Sequence, residues 1–198
     1  AFALVERSEV VLGVLGCPAL QADAASAVPG PGAVLVARRD CGAWASALDG
    51  EDGPWNRLQA SDADDPAQAR ILRSVEKAHT NVDATGKIGE TLGVAVGPVA
   101  MDSQAKYAVL AAGGAELLLR LLSPKAPDYK EKIWDQAAGT ILLEEAGGMI
   151  SDLYGRPLDF GQGRTLANNT GVFASNKLLH NQGLEAIAAV CDLPPLEG

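Results

Sequence analysis

Residues 130–148 read KEKIWDQAAGTILLEEAGG, and this run holds the residue best placed for chemistry. Asp135 stands between a Trp and a run of small residues that opens a helix. A carboxylate in the first turn of a helix is held ionised by the positive end of the macrodipole. Facing a cleft, it is a ligand for a hard cation such as Mg2+, which keeps waters and shares phosphate oxygens with a substrate. The same Asp could instead be an ordinary cap, stabilising its helix by about 0.5–2 kcal/mol.

A second candidate is DSQAKY at 102–107. If Ser103 opens a helix, its hydroxyl and the free N–H groups behind it face one anion. Lys106, three residues on, shares that face and completes a phosphate cradle. A capping Ser with a solvated Lys is the commoner arrangement. Arg120 ends the apolar run LLLR and could fork onto a phosphate, or lie in water at a sheet edge. His79 follows SVEKA in a polar stretch and could stack on or hydrogen-bond a base. His180, within a helix pattern, reads as merely exposed. The glycine-rich GQGRT at 161–165 reads as a tight turn, because lone Gly-x-Gly spacing is weak support for a phosphate loop. Cys17, Cys41 and Cys191 have no His at informative spacing, so nothing supports a nucleophilic thiol.

The elements that must position these residues change character along the chain. Segments 2–6, 10–16, 33–38, 43–48 and 57–60 read as strands of a β-meander, with a hairpin at Ser8. A sheet with one apolar face needs a second layer, and no such layer is encoded upstream. From about residue 62 strands alternate with helices. Strands are expected at 71–75, 117–121, 149–153 and 171–175, and helices at 85–92, 103–112, 134–146 and 176–190. Trp134, Ala137, Ala138, Ile141 and Leu142 fall on one helix stripe and are expected to be buried. The fold class is α/β (α+β overall), divided into a meander at 1–61 and an α/β domain at 62–198.

The 198 residues suffice for one large domain or one and a half small ones. A net charge of −9 argues against duplex nucleic acid or an anionic membrane as partner. Residues 103–132 nevertheless carry five bases against three acids, a locally basic segment that could receive a small anion. Three widely spaced cysteines suggest no disulfide framework, so an intracellular location, cytoplasmic or organellar, is expected. No apolar run approaches the length of a membrane span. The chain opens at Ala1 without Met, so it is expected to be processed or truncated.

The order of the motifs is more specific than any one of them. SVEKAH (74–79), MDSQAKY (101–107), LLLRL (117–121), YKEKIWDQAAG (129–139), EEAGG (144–148) and PLDFGQGRTL (157–166) follow one another as in the inositol monophosphatase superfamily. Together with LGCPAL (15–20), they most resemble the 3'(2'),5'-bisphosphate nucleotidase branch. The resemblance covers essentially the whole chain. It implies a layered αβαβα sandwich and Mg2+-dependent removal of the 3'-phosphate of adenosine 3',5'-bisphosphate, leaving AMP, a reaction of sulfur metabolism. By motif match, Asp135 is a metal ligand at the scissile phosphate. Ser103, Lys106 and Arg120 hold the retained 5'-phosphate, and His79 contacts the adenosine. Gln136 stands where many members have His. The family's Asp-Pro-x-Asp-Gly-Thr motif and an upstream metal-binding Glu are not in this sequence. The expectation is therefore an incomplete site, finished by a missing N-terminal segment or a second chain. Inositol phosphate hydrolysis on the same fold and a non-catalytic nucleotide-binding role remain the alternatives.

Overall fold

The structure is a computed structural model that describes residues 1–21, 30–49, 53–75, 81–193. Phe2–Glu6 (β1), Glu9–Cys17 (β2), Ala33–Arg38 (β3), Gly42–Ala47 (β4) and Asn56–Arg57 (β5) form one antiparallel sheet in chain order. The β1–β2 turn places Arg7 and Ser8 in the left-handed region, at φ 52° and 70°. That geometry matches the twist of a tight hairpin. Ile71–Arg73 (β6), Val99–Ala100 (β7), Leu117–Arg120 (β8), Met149–Ser151 (β9) and Val172–Ser175 (β10) form a second sheet, ordered β7-β6-β8-β10-β9. There β6 runs parallel to β7 and β8, and β10 antiparallel to β8 and β9.

Four helices fill the layers: Val82–Leu92 (α1), Ala105–Ala111 (α2), Ile133–Glu145 (α3) and His180–Cys191 (α4). The period-two alternation of the second sheet separates two cores. Leu72, Leu118, Val172 and Ala174 face a core shared with α2, α3 and the meander. Ile71, Leu117, Leu119 and Phe173 face a core shared with α1 and α4. The resulting order is sheet, α2/α3, sheet, α1/α4.

The meander does have a covering layer on one face, and it comes from downstream: α3 packs across β1, β2, β3 and β4. Two glycines set the closeness of this packing. A Cβ at Gly13 would lie 2.5 Å from Ile141 Cγ2 and 2.9 Å from the Ala138 carbonyl oxygen. A Cβ at Gly139 would lie 2.2 Å from the Tyr107 ring, so the small residues after Asp135 let α3 touch β2 and α2. Gly139→Ala is therefore expected to destabilise the chain by about 1–3 kcal/mol through overpacking, despite the better helix propensity of Ala. A urea midpoint equal to or above that of the parent protein would contradict this close fit.

The Glu pair before the glycines clamps the other end of α3. Glu144 pairs with Arg39 at 2.7 Å, and Glu145 accepts from the Asp40 and Gly42 N–H groups at 3.0 and 2.8 Å. These partners offset the unfavourable placement of two acids at a helix C-terminus.

Several expectations need correction. Asn81 caps α1 by accepting from the Ala84 N–H at 3.1 Å, so that helix starts three residues earlier than hydrophobic spacing indicated. α2 starts at Ala105 rather than Ser103, because Ser103 sits at φ 63° and its Oγ accepts from the Ala105 N–H at 3.1 Å. Trp134 is half-exposed, while Ala137, Ala138, Ile141 and Leu142 are buried. It lies in the first turn of α3, where the Arg164 guanidinium stands 5.2 Å over its ring.

His180 is buried rather than exposed. Ser151 Oγ donates to the Asp152 carbonyl at 2.8 Å, which leaves it to accept from His180 Nε2 at 3.0 Å. Ser175 Oγ then donates to Nδ1 at 2.8 Å. This network assigns the neutral Nε2–H tautomer, and burial lowers the imidazole pKa to about 4. Between that value and the ordinary value near 6.5, the unfolded chain binds more protons than the folded one. Stability is then full above about pH 6.5 and lost as pH falls towards 4, by about 3 kcal/mol. Between pH 7 and 4 the parent protein should lose that much more unfolding free energy than His180→Gln. Parallel pH profiles would refute this role.

Candidate active site

Asp135 occupies the first turn of α3, half-buried, and its carboxylate accepts no hydrogen bond from the described residues. Lys132 takes the N-cap position without a side-chain cap, so Asp135 is not the cap. The helix start is held from the glycine-rich loop. The Ile133 N–H donates to the Arg164 carbonyl at 3.2 Å, the Leu166 N–H donates to the Glu131 carbonyl at 2.9 Å, and Lys132 bridges to Thr165. GQGRT is thus a turn, as expected, and its exit anchors the helix that carries Asp135.

Asp135 borders two cavities. The larger, about 750 Å3, lies between the end of β2 (Leu15 to Cys17) and the segment from Val99 to Ala105. Ser103 and Asp102 line it beside Asp135. Asp102 Oδ1 accepts from the Val75 N–H at 3.0 Å, and Gln104 Nε2 donates to the Trp134 carbonyl at 2.8 Å. Gln104 therefore ties this loop to the turn that presents Asp135. The smaller cavity, about 200 Å3, is lined by Arg120, Ser123, Tyr129, Glu131 and Asp135.

The expected anion-binding residues are distributed unevenly. Ser103 opens on the larger cavity and Arg120 on the smaller. Lys106 is buried, lines neither cavity, and donates to the Met101 carbonyl at 3.1 Å. Burial and the neighbouring Arg120 lower its ammonium pKa to about 8, against the partial offset of Asp102 and Glu131. An anion brought close would reverse that shift. Arg120 forks onto Glu131, with Nε at 3.1 Å and Nη2 at 2.8 Å. Burial opposes its charge, but Glu131 more than offsets this and holds the guanidinium above its ordinary pKa. His79 lies outside the described residues.

The residues missed by sequence reading are Glu131, Tyr107 and Gln104, while Gln136 is legible only as a departure from the family's His. Glu131 sits between two lysines and reads as solvated, yet it is only 5% exposed. Its one legible signal was its place four residues before Asp135.

Among the described residues no group of three or more His, Cys, Asp or Glu could hold a metal ion. Asp135 fits as one ligand of a Mg2+ site, but the residues here do not fit a complete one. Among the described residues, no helix is long and apolar enough to cross a membrane.

Two sheets interleaved with paired helices define a layered α/β fold, and it sets a helix-start carboxylate, without a hydrogen-bond donor among the described residues, between two cavities. The inositol monophosphatase family model matches residues 1–190, and the chain belongs to that family. A protein of Schizosaccharomyces pombe named 3'(2'),5'-bisphosphate nucleotidase is 40% identical over 98% of this chain and 54% of its own length. A rice protein of the same name is 42% identical over 94% of this chain and 52% of its own. The chain therefore spans about half the length of these relatives. The Thermotoga maritima IMPase has the same fold, with a TM-score of 0.65 at 23% identity over 96% of this chain and 60% of that one.

Proposed function

We propose that this chain is a portion of a Mg2+-dependent phosphatase that removes the 3'-phosphate of adenosine 3',5'-bisphosphate, leaving AMP. The observation that carries this reading is Asp135, which lies on the wall shared by the two cavities and accepts no hydrogen bond from the described residues. The names of the relatives support the substrate class. Asp135 is one metal ligand, and carboxylates outside the described residues supply the others. Asp135 would hold one position of such a Mg2+ site, which would supply an activated water and charge neutralisation at the leaving oxygen. By motif match Ser103, Lys106 and Arg120 are the candidates for holding the retained 5'-phosphate, although Ser103 and Arg120 open on different cavities and Lys106 on neither, and His79 is the candidate for meeting the adenosine. In this reading residues 1–61 are the C-terminal part of the first, metal-site domain, and residues 62–198 are the nucleotide-binding domain.

Completion of the site by further polypeptide is part of this reading. The face of the meander turned away from α3 carries Phe2, Leu4 and Trp44, which are 57%, 41% and 36% exposed. Val14 and Val36 lie in register between Phe2 and Trp44. An apolar sheet face of this kind calls for a covering layer, and the relatives carry additional length that could supply it.

Calorimetric titration of the chain with AMP tests the substrate class, with inositol 1-phosphate as the competitor reading. Weak AMP binding that Arg120→Lys reduces is the expected outcome. Binding of inositol 1-phosphate in preference to AMP would overturn it.

A further inference from the structure

Gln136 is fully buried one residue after Asp135. A buried amide is costly unless both ends are paired. Here both are: Tyr107 Oη donates to Oε1, and Nε2 donates to Glu131 Oε2 at 2.7 Å. The orientation of the amide is dictated by its partners, because the flipped form would turn Oε1 onto the Glu131 carboxylate. Glu131 thus takes three donors, two from Arg120 and one from Gln136. The Arg120 Nη1 has no partner among the described residues.

We propose that Gln136 is a positioning residue that fixes the plane of the Arg120 guanidinium at the smaller cavity through Glu131, and couples that fork to α2 through Tyr107. A carboxylate gripped only by an arginine can turn with it. A carboxylate also held by a buried amide on α3 cannot, so the fork has one orientation. The Tyr107 ring is itself wedged against Gly139, where a Cβ would meet it at 2.2 Å. Arg120, on β8, is thereby registered against the helix turn that carries Asp135. The amide of Gln136 itself does not titrate, as a histidine at this position would.

The test reads the Arg120 Nε–H directly. In the 15N-labelled chain this resonance, assigned by its loss in Arg120→Lys, should exchange slowly with water. Gln136→Met keeps the volume and removes both hydrogen bonds, and exchange should quicken by about tenfold or more, as for loss of a bond to a charged group. Tyr107→Phe, which removes a single donor and serves where the Met variant does not fold, should quicken it about twofold to fivefold. Unchanged exchange in a folded variant overturns the proposal.

A second arm rests on the nucleotide reading. AMP affinity should fall by about tenfold in Gln136→Met while adenosine affinity stays level. An equal fall for both ligands would mark a general structural defect and overturn the positioning role. If the parent chain binds neither ligand, the nucleotide reading fails, and the exchange measurement still decides the role of Gln136.

Discussion

Asp135→Asn is expected to abolish Mg2+-dependent phosphate release in the completed enzyme while leaving the fold nearly intact. Partners one shell removed from a metal typically cost about 10–100-fold when lost, and a direct ligand costs more. The change preserves size and removes one charge. Its structural penalty is the helix-start interaction alone, about 0.3–1 kcal/mol. The Asp135 carboxylate is available for a metal because it accepts no hydrogen bond from the described residues. Turnover within a few-fold of the parent enzyme, measured across a Mg2+ titration, would remove Asp135 from the metal site.

The largest expected loss of stability lies away from that site, at Asp152. This side chain is fully buried. It accepts from the Tyr154 and Arg156 N–H groups at 3.0 Å each and from the Arg156 side chain at 2.9 and 2.6 Å. The Thr170 N–H adds a longer contact at 3.3 Å. Asp152→Ala strands these backbone donors and leaves a cavity. With about 1–3 kcal/mol for each unsatisfied group, partly relieved by water at the half-exposed Arg156, the expected loss is about 3–5 kcal/mol. Asp152→Asn should lose less, since the amide still accepts. Equal midpoints for the parent and Ala proteins in urea would show that the loop is held by something else.

Local signals carried far in this sequence. Short apolar runs located β1 and β3 to the residue, and the small-residue run after Asp135 located α3. The hairpin at Ser8 followed from the brevity of the connection. What stayed hidden depends on pairing across long separations. The helix that covers the meander lies about a hundred residues downstream, and its Glu144–Arg39 tie spans 105 positions. Tyr107 and Gln136 meet across 29 positions, and no periodicity announces such a contact. His180 looked solvated because the serines that enclose it come from two different strands. Ser103 was misplaced by two residues because its hydroxyl closes a local turn, a competing use that Ser shares with capping. The motif order indicated the family. Which side chains fork, bury or stand free is set by the tertiary fold.

The most direct measurement is Mg2+-dependent phosphate release from adenosine 3',5'-bisphosphate, by the 198-residue chain alone and by the chain joined to the portion of the Schizosaccharomyces pombe relative that lies outside the match. The account predicts little release from the chain alone, release on completion, and its loss again with Asp135→Asn. Robust turnover by the isolated chain, or completed enzyme indifferent to Asp135→Asn, would contradict it.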